Sequence, residues 1–94
     1  MAEQLTGTGR RLPWVRDQLR IALDILDNPG GGLVFGYQAL GQARAHLHET
    51  DPRRWEDAIR KLDEAERQAV WRNYERARQL ISEALASIPE RGPA

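Results

Sequence analysis

The chain has 94 residues, of which 30% are charged and 40% hydrophobic, with 14 basic and 14 acidic side chains and no cysteine. A chain of that size and balance builds one small domain with a thin core. Zero formal net charge argues against a general binder of nucleic acid or membrane surface, which carries a basic excess. Lack of cysteine excludes disulfide staples, thiolate catalysis and cysteine-ligated zinc.

Residues 1–11 (MAEQLTGTGRR) have no apolar period and read as a flexible tail. Gly7, Gly9 and the two arginines after them lack the preceding strand and the following Lys-Ser/Thr of a phosphate loop. A first helix is expected over 12–27, with Pro13 near its start and Asn28-Pro29-Gly30 ending it. Val15, Leu19, Ala22, Leu23 and Leu26 form one apolar stripe. Trp14, Ile21 and Ile25 form a second, roughly 120° round the helix. A helix apolar on two sides is covered on two sides, so this one is either central to the fold or half of an intermolecular contact.

Residues 28–32 (NPGGG) read as a flexible turn, because Phe35 stands where a dinucleotide-binding pattern needs its third glycine. A second helix is expected over 33–49, its start blurred by Val34, Phe35 and Gly36, all poor helix formers. Leu33, Tyr37, Leu40 and Leu47 line one face. Beside them Gly36, Ala39 and Ala43 make a strip of small residues where another backbone can approach closely.

From Pro52 to Ile88 the apolar residues recur at three- and four-residue steps with no interior Gly or Pro, which predicts one long helix of roughly 55 Å. Asp51 is its expected N-cap, Pro52 its first residue and Pro89 its stop. Glu56 to Arg60, Asp57 to Lys61 and Asp63 to Arg67 are acid-first pairs on its polar face. Propensity dips at 71–74, with Asn73 on the apolar stripe, so a bend or break can fall there. Trp71 sits among charged residues, either covered by the first helix or tail or left for a partner.

The fold expected is therefore all-α: two shorter helices packed on one long C-terminal helix, with 33–88 forming a helical hairpin. A single domain spans 12–88, and 89–94 is a second tail. If the far half of the long helix projects, Val70, Ala77, Ile81, Leu85 and Ile88 need a second copy of the chain to cover them.

Chemistry is sparse. His46 and His48 point about 200° apart on a helix and cannot share a metal. Arg44 and His48 are one residue too close for the Arg–His spacing of small helical (HEPN) ribonucleases. Ser82 and Ser87 have no adjacent base. No catalytic, cofactor-binding or metal residues are assigned. The expected function is a non-enzymatic helical protein–protein interaction module (an adaptor, inhibitor or regulatory subunit), self-associating as a homodimer and cytoplasmic, with no membrane contact. The expected partner-binding residues are Trp14, Ile21, Ile25, Arg67, Trp71, Tyr74 and Arg78. The alternative is a nucleic-acid-binding subunit of a larger nucleoprotein complex, using the Arg-rich face of the long helix with Trp71 and Tyr74 for stacking. Interleaved acids on that face weigh against it.

Overall fold

The computed structural model describes residues 8–28, 30 and 32–89, with side chains from Leu12 onward. Four helices account for the regular structure of these residues: α1 (Thr8–Asp27), α2 (Leu33–Thr50), α3 (Glu56–Val70) and α4 (Tyr74–Ser87). The all-α class is as expected, but the long helix is two, so the count is four rather than three. Helix α1 begins four residues earlier than its predicted start, making Thr8–Arg11 helix rather than tail. Fully buried Leu12 seats that extra turn on the core. Residues 1–7 and 90–94, where tails were expected, lie outside the described residues.

The break between α3 and α4 is a Schellman turn. The Asn73 N–H donates to the Gln68 carbonyl at 2.8 Å and the Arg72 N–H to that of Ala69 at 2.9 Å, closing the end of α3. Arg72 takes the left-handed conformation this turn requires, with φ of 65°. An L-residue there costs about 1–2 kcal/mol. Folding back buries Leu80, Ile81 and Ile88, each worth about 1.5–3 kcal/mol relative to exposure. The reversal wins. A projecting half-helix does not exist, and Ala77, Ile81 and Ile88 are covered within the chain, with Leu85 packed at the core's edge. That removes the covering of a bare half-helix as a reason for a second copy.

The junction into α3 also differs. Residues 52–55 form turns and α3 starts at Glu56 instead of Pro52. Asp51 does act on the backbone ahead of it, its Oδ1 accepting from the Arg54 N–H at 3.2 Å. The turn is not continued because Trp55 leaves helical values (φ −101°, ψ 16°) as its ring enters the core.

Consecutive helices run antiparallel. The α1–α2 and α3–α4 pairs pack most extensively, α1 against α4 and α2 against α3 less so, and the diagonal pairs make no close backbone contact. The result is an up-down-up-down bundle measuring 38 × 25 × 18 Å. Its tight seams are built from small residues. Gly36, Ala39 and Ala43 let α1 close on α2: a Cβ added at Gly36 would stand 3.2 Å from Ile25 Cγ2. Ala58, Ala65 and Ala69 of α3 and Ala77 and Ala84 of α4 are buried around Leu62, Leu80 and Ile81.

Longer polar side chains tie the looser seams. The Arg16 guanidinium of α1 donates to the Leu85 carbonyl at 2.9 Å and to that of Ile88, satisfying the end of α4. Arg78 of α4 pairs with Asp27 at the C-terminal end of α1. Arg44 of α2 reaches Glu66 at 2.7 Å and Asp63 at 3.2 Å on α3. These pairs define two ends of the bundle. One holds the start of α1 and the end of α4. The other, the loop end, holds the α1–α2 and α3–α4 connections.

Candidate interaction surface

Two short segments at the loop end break the rules that govern the rest of the chain. Helix α2 opens at Leu33 with Gly32 before it and no side-chain cap. Its first turn then turns Val34 (67% exposed) and Phe35 (62%) to solvent. Helix α3 ends on Val70 (60%) and Trp71 (80%), followed by Arg72 in its left-handed conformation. Two β-branched residues, two aromatic rings and a non-glycine αL residue all go against local preference at exposed positions. The reversal offsets the cost at Arg72; departures with no such structural gain, as at Val34 and Phe35, concentrate at functional sites.

Both segments lie at the loop end of the bundle. Arg44 lies across from Asp63 and Glu66 in the antiparallel α2–α3 pair, so Val70 and Trp71 stand toward the N-terminal half of α2. A shallow depression at Val70 and Trp71 is lined also by Arg44, Asp63, Glu66 and Arg67.

The seven sequence-predicted residues fare differently. Trp71 is the most exposed large apolar side chain of the described residues, and neither α1 nor any other described element covers it. Arg67 stands close by, but it is engaged on its own helix with Asp63 at 2.8 Å and Glu64 at 2.6 Å. Those partners hold the guanidinium above its ordinary value. Glu64 is held below the usual carboxylate range by hydrogen bonds from Gln68 and then Arg67. Tyr74 packs at the edge of the core, and Arg78 is paired with Asp27. Trp14, Ile21 and Ile25 lie along α1, diagonal to α3. Trp14 meets His46 edge-on at 5.3 Å, Ile25 rests on Gly36, and Ile21 is 44% exposed. The second stripe of α1 is thus partly covered by α2.

Sequence reasoning missed Val34, Phe35 and Val70. Val70 fits the helical stripe and looks like core; only the turn at 71–73 takes it out. The signal for Val34 and Phe35 was present as an uncapped helix start made of poor helix formers.

His46 and His48 do lie on different faces: His48 lines an open groove of about 850 Å³ between α2 and α3, together with Arg44, Glu49, Arg53, Glu56 and Arg60. Among the described residues no group of three or more His, Asp or Glu side chains converges as a metal site, and no helix is long and apolar enough to cross a membrane. No family model, known relative or solved structure matches this chain.

Proposed function

We propose that this chain is a small non-enzymatic helical interaction module, an adaptor, inhibitor or regulatory subunit, that docks the loop end of its bundle on another protein surface. The observation that carries the reading is the exposure of Val34, Phe35, Val70 and Trp71, each at least 60% exposed, in two segments at one end of a bundle whose other apolar side chains are largely inside. Exposed aromatic and aliphatic side chains of this kind are the usual anchors of a protein–protein contact.

Nucleic-acid binding draws less support. Arg44, Arg60, Arg67 and Arg78 each face a carboxylate at hydrogen-bonding distance. A phosphate would have to displace those partners.

A tagged pull-down from the native host, with and without nuclease, tests the module reading. A defined protein retained after nuclease and lost with Trp71→Ala is the expected result. Recovery that depends on nucleic acid overturns it in favour of the Arg-rich surface.

A further inference from the structure

The contacts that tie α1 to α2 also fix a register between them. Trp14 meets His46 edge-on at 5.3 Å, and Ile25 lies against the Gly36 position, next to Phe35 in the chain. Residues eleven apart on a helix return to the same side within about 20°. Trp14, Gln18, Ile21 and Ile25 therefore share one line on α1, and Phe35, Ala39, Gln42 and His46 share one on α2. Running antiparallel, the two lines form rows: Trp14 with His46, Gln18 with Gln42, Ile21 with Ala39, and Ile25 with Phe35.

These rows carry no Asp, Glu, Lys or Arg, whereas guanidinium groups bridge both looser seams of the bundle. Asp17, paired with Arg20 at 3.2 Å, and Asp24 stand outside the rows on the exposed edge of α1. The strip is not flat. Ile21 is 44% exposed, while small Ala39 beside it is buried at 3% and makes a dip.

That chemistry decides what can cover the strip. A charged partner surface would lose water here and gain no counter-charge. An amide both donates and accepts, so a row of glutamines is satisfied by another such row. An isologous contact needs a face that matches itself. A twofold axis parallel to the helices lays α1 of one copy on α2 of the other, and each row then meets its own counterpart. Gln18 falls on Gln42, Ile21 over the dip at Ala39, and Ile25 on Phe35. The strip is about 16 Å long and two helices, about 20 Å, wide. With its edges it buries on the order of 500 Å² per copy, at the low end for protein pairs, which suits a weak, reversible dimer.

We propose that a second copy of this chain packs on the α1–α2 face in this way. The face runs along the bundle, away from Val70 and Trp71, so this pairing stands or falls apart from the docking role proposed above.

Sedimentation equilibrium of the full chain tests it. The weight-average mass of the wild type should climb from the 10.7 kDa of one chain toward twice that value over about 10–500 µM. Ile21→Ala and Gln42→Glu, both at exposed positions, should each raise the dissociation constant about 10-fold, with helicity by circular dichroism unchanged. Trp71→Ala should leave association as in the wild type. Because the chain lacks cysteine, Gln18→Cys and Gln42→Cys chains can be mixed and mildly oxidised. The mixed disulfide should then exceed either like pair.

A wild type that stays at chain mass up to about 500 µM overturns the proposal, as does a dimer weakened by Trp71→Ala but not by Ile21→Ala or Gln42→Glu. Like disulfides equal to or above the mixed one overturn the row-on-row pairing. A monomeric chain that still retains a Trp71-dependent protein in the pull-down removes the dimer and leaves the docking module standing. A dimer that retains none does the reverse.

Discussion

Replacing Arg72 by glycine should stabilise the fold, and the structure sets the size of the gain. Arg72 occupies the left-handed position of the turn between α3 and α4, at φ of 65°. Among the described residues its guanidinium makes no ion pair or hydrogen bond that the change would remove. Relieving the Cβ clash of an L-residue returns about 1–2 kcal/mol. Glycine's larger freedom in the unfolded chain takes back about 0.5–1 kcal/mol. The net gain is about 0.5–1 kcal/mol, and for a domain of this length that raises the thermal midpoint by about 2–8 °C. Urea unfolding followed by far-UV circular dichroism is the assay, with an unchanged denaturant slope showing that only stability moved. Arg72→Ala keeps the Cβ and should stay within about 0.5 kcal/mol of the wild type. A midpoint for Arg72→Gly at or below that of Arg72→Ala would refute the reading of the turn as strained.

Two glycines of α2 separate helix propensity from packing. Nothing lies within 4 Å of a Cβ added at Gly41, so Gly41→Ala should stabilise by about 0.5–1 kcal/mol in chemical unfolding. Gly36→Ala meets Ile25 Cγ2 at 3.2 Å and should gain less, or lose stability; equal gains at both sites would refute the close α1–α2 seam. Arg16→Ala uncaps the end of α4 and should cost about 1.5–3 kcal/mol by the same assay, with amide exchange rising first at Leu85 and Ile88. Acid should weaken the fold. Asp57, held low by Lys61 and then Arg60, and Glu64, held low by Gln68 and then Arg67, both have folded values below their unfolded ones. Their contribution is therefore complete above the ordinary carboxylate range and fades as the pH falls through and below it. Combining Asp57→Asn with Glu64→Gln should flatten the thermal midpoint across that window; an unaltered slope would show that these exposed pairs contribute nothing.

The helices were legible because their signals are local. Val15, Leu19, Ala22 and Leu26, or Ala58, Leu62, Ala65 and Ala69, fall on one side of a helix whatever they pack against, and each of these residues is buried. The Gly36–Ala39–Ala43 strip announced a close backbone approach in the same way, although nothing in it names α1 as the neighbour. Asp57–Lys61 and Asp63–Arg67 form at 3.0 and 2.8 Å, as their i,i+4 spacing implies, whereas Arg60 takes Asp57 at 2.6 Å instead of the expected Glu56.

Where sequence reasoning failed, a long-range contact overrode a local one. Residues 52–88 carry helical period and good propensity nearly throughout, and the weak stretch at 71–74 marks where a reversal is cheap without requiring it. The reversal is decided by burying Leu80, Ile81 and Ile88 against the rest of the chain, a gain that exists only once the other helices are present. The same event exposes Val70, which periodicity assigns to the core, and leaves Trp71 uncovered. It also turns Arg78 toward Asp27, 51 positions away, while the α2–α3 hairpin sets Arg44 beside Glu66, 22 positions away; no local pattern encodes either pairing. The sequence by itself determined an all-helical chain, the faces of its helices and the place where the longest run can yield. Tertiary structure decided that it does yield, and so which apolar side chains remain outside, because burial is a property of neighbours in space and periodicity only of neighbours along the chain.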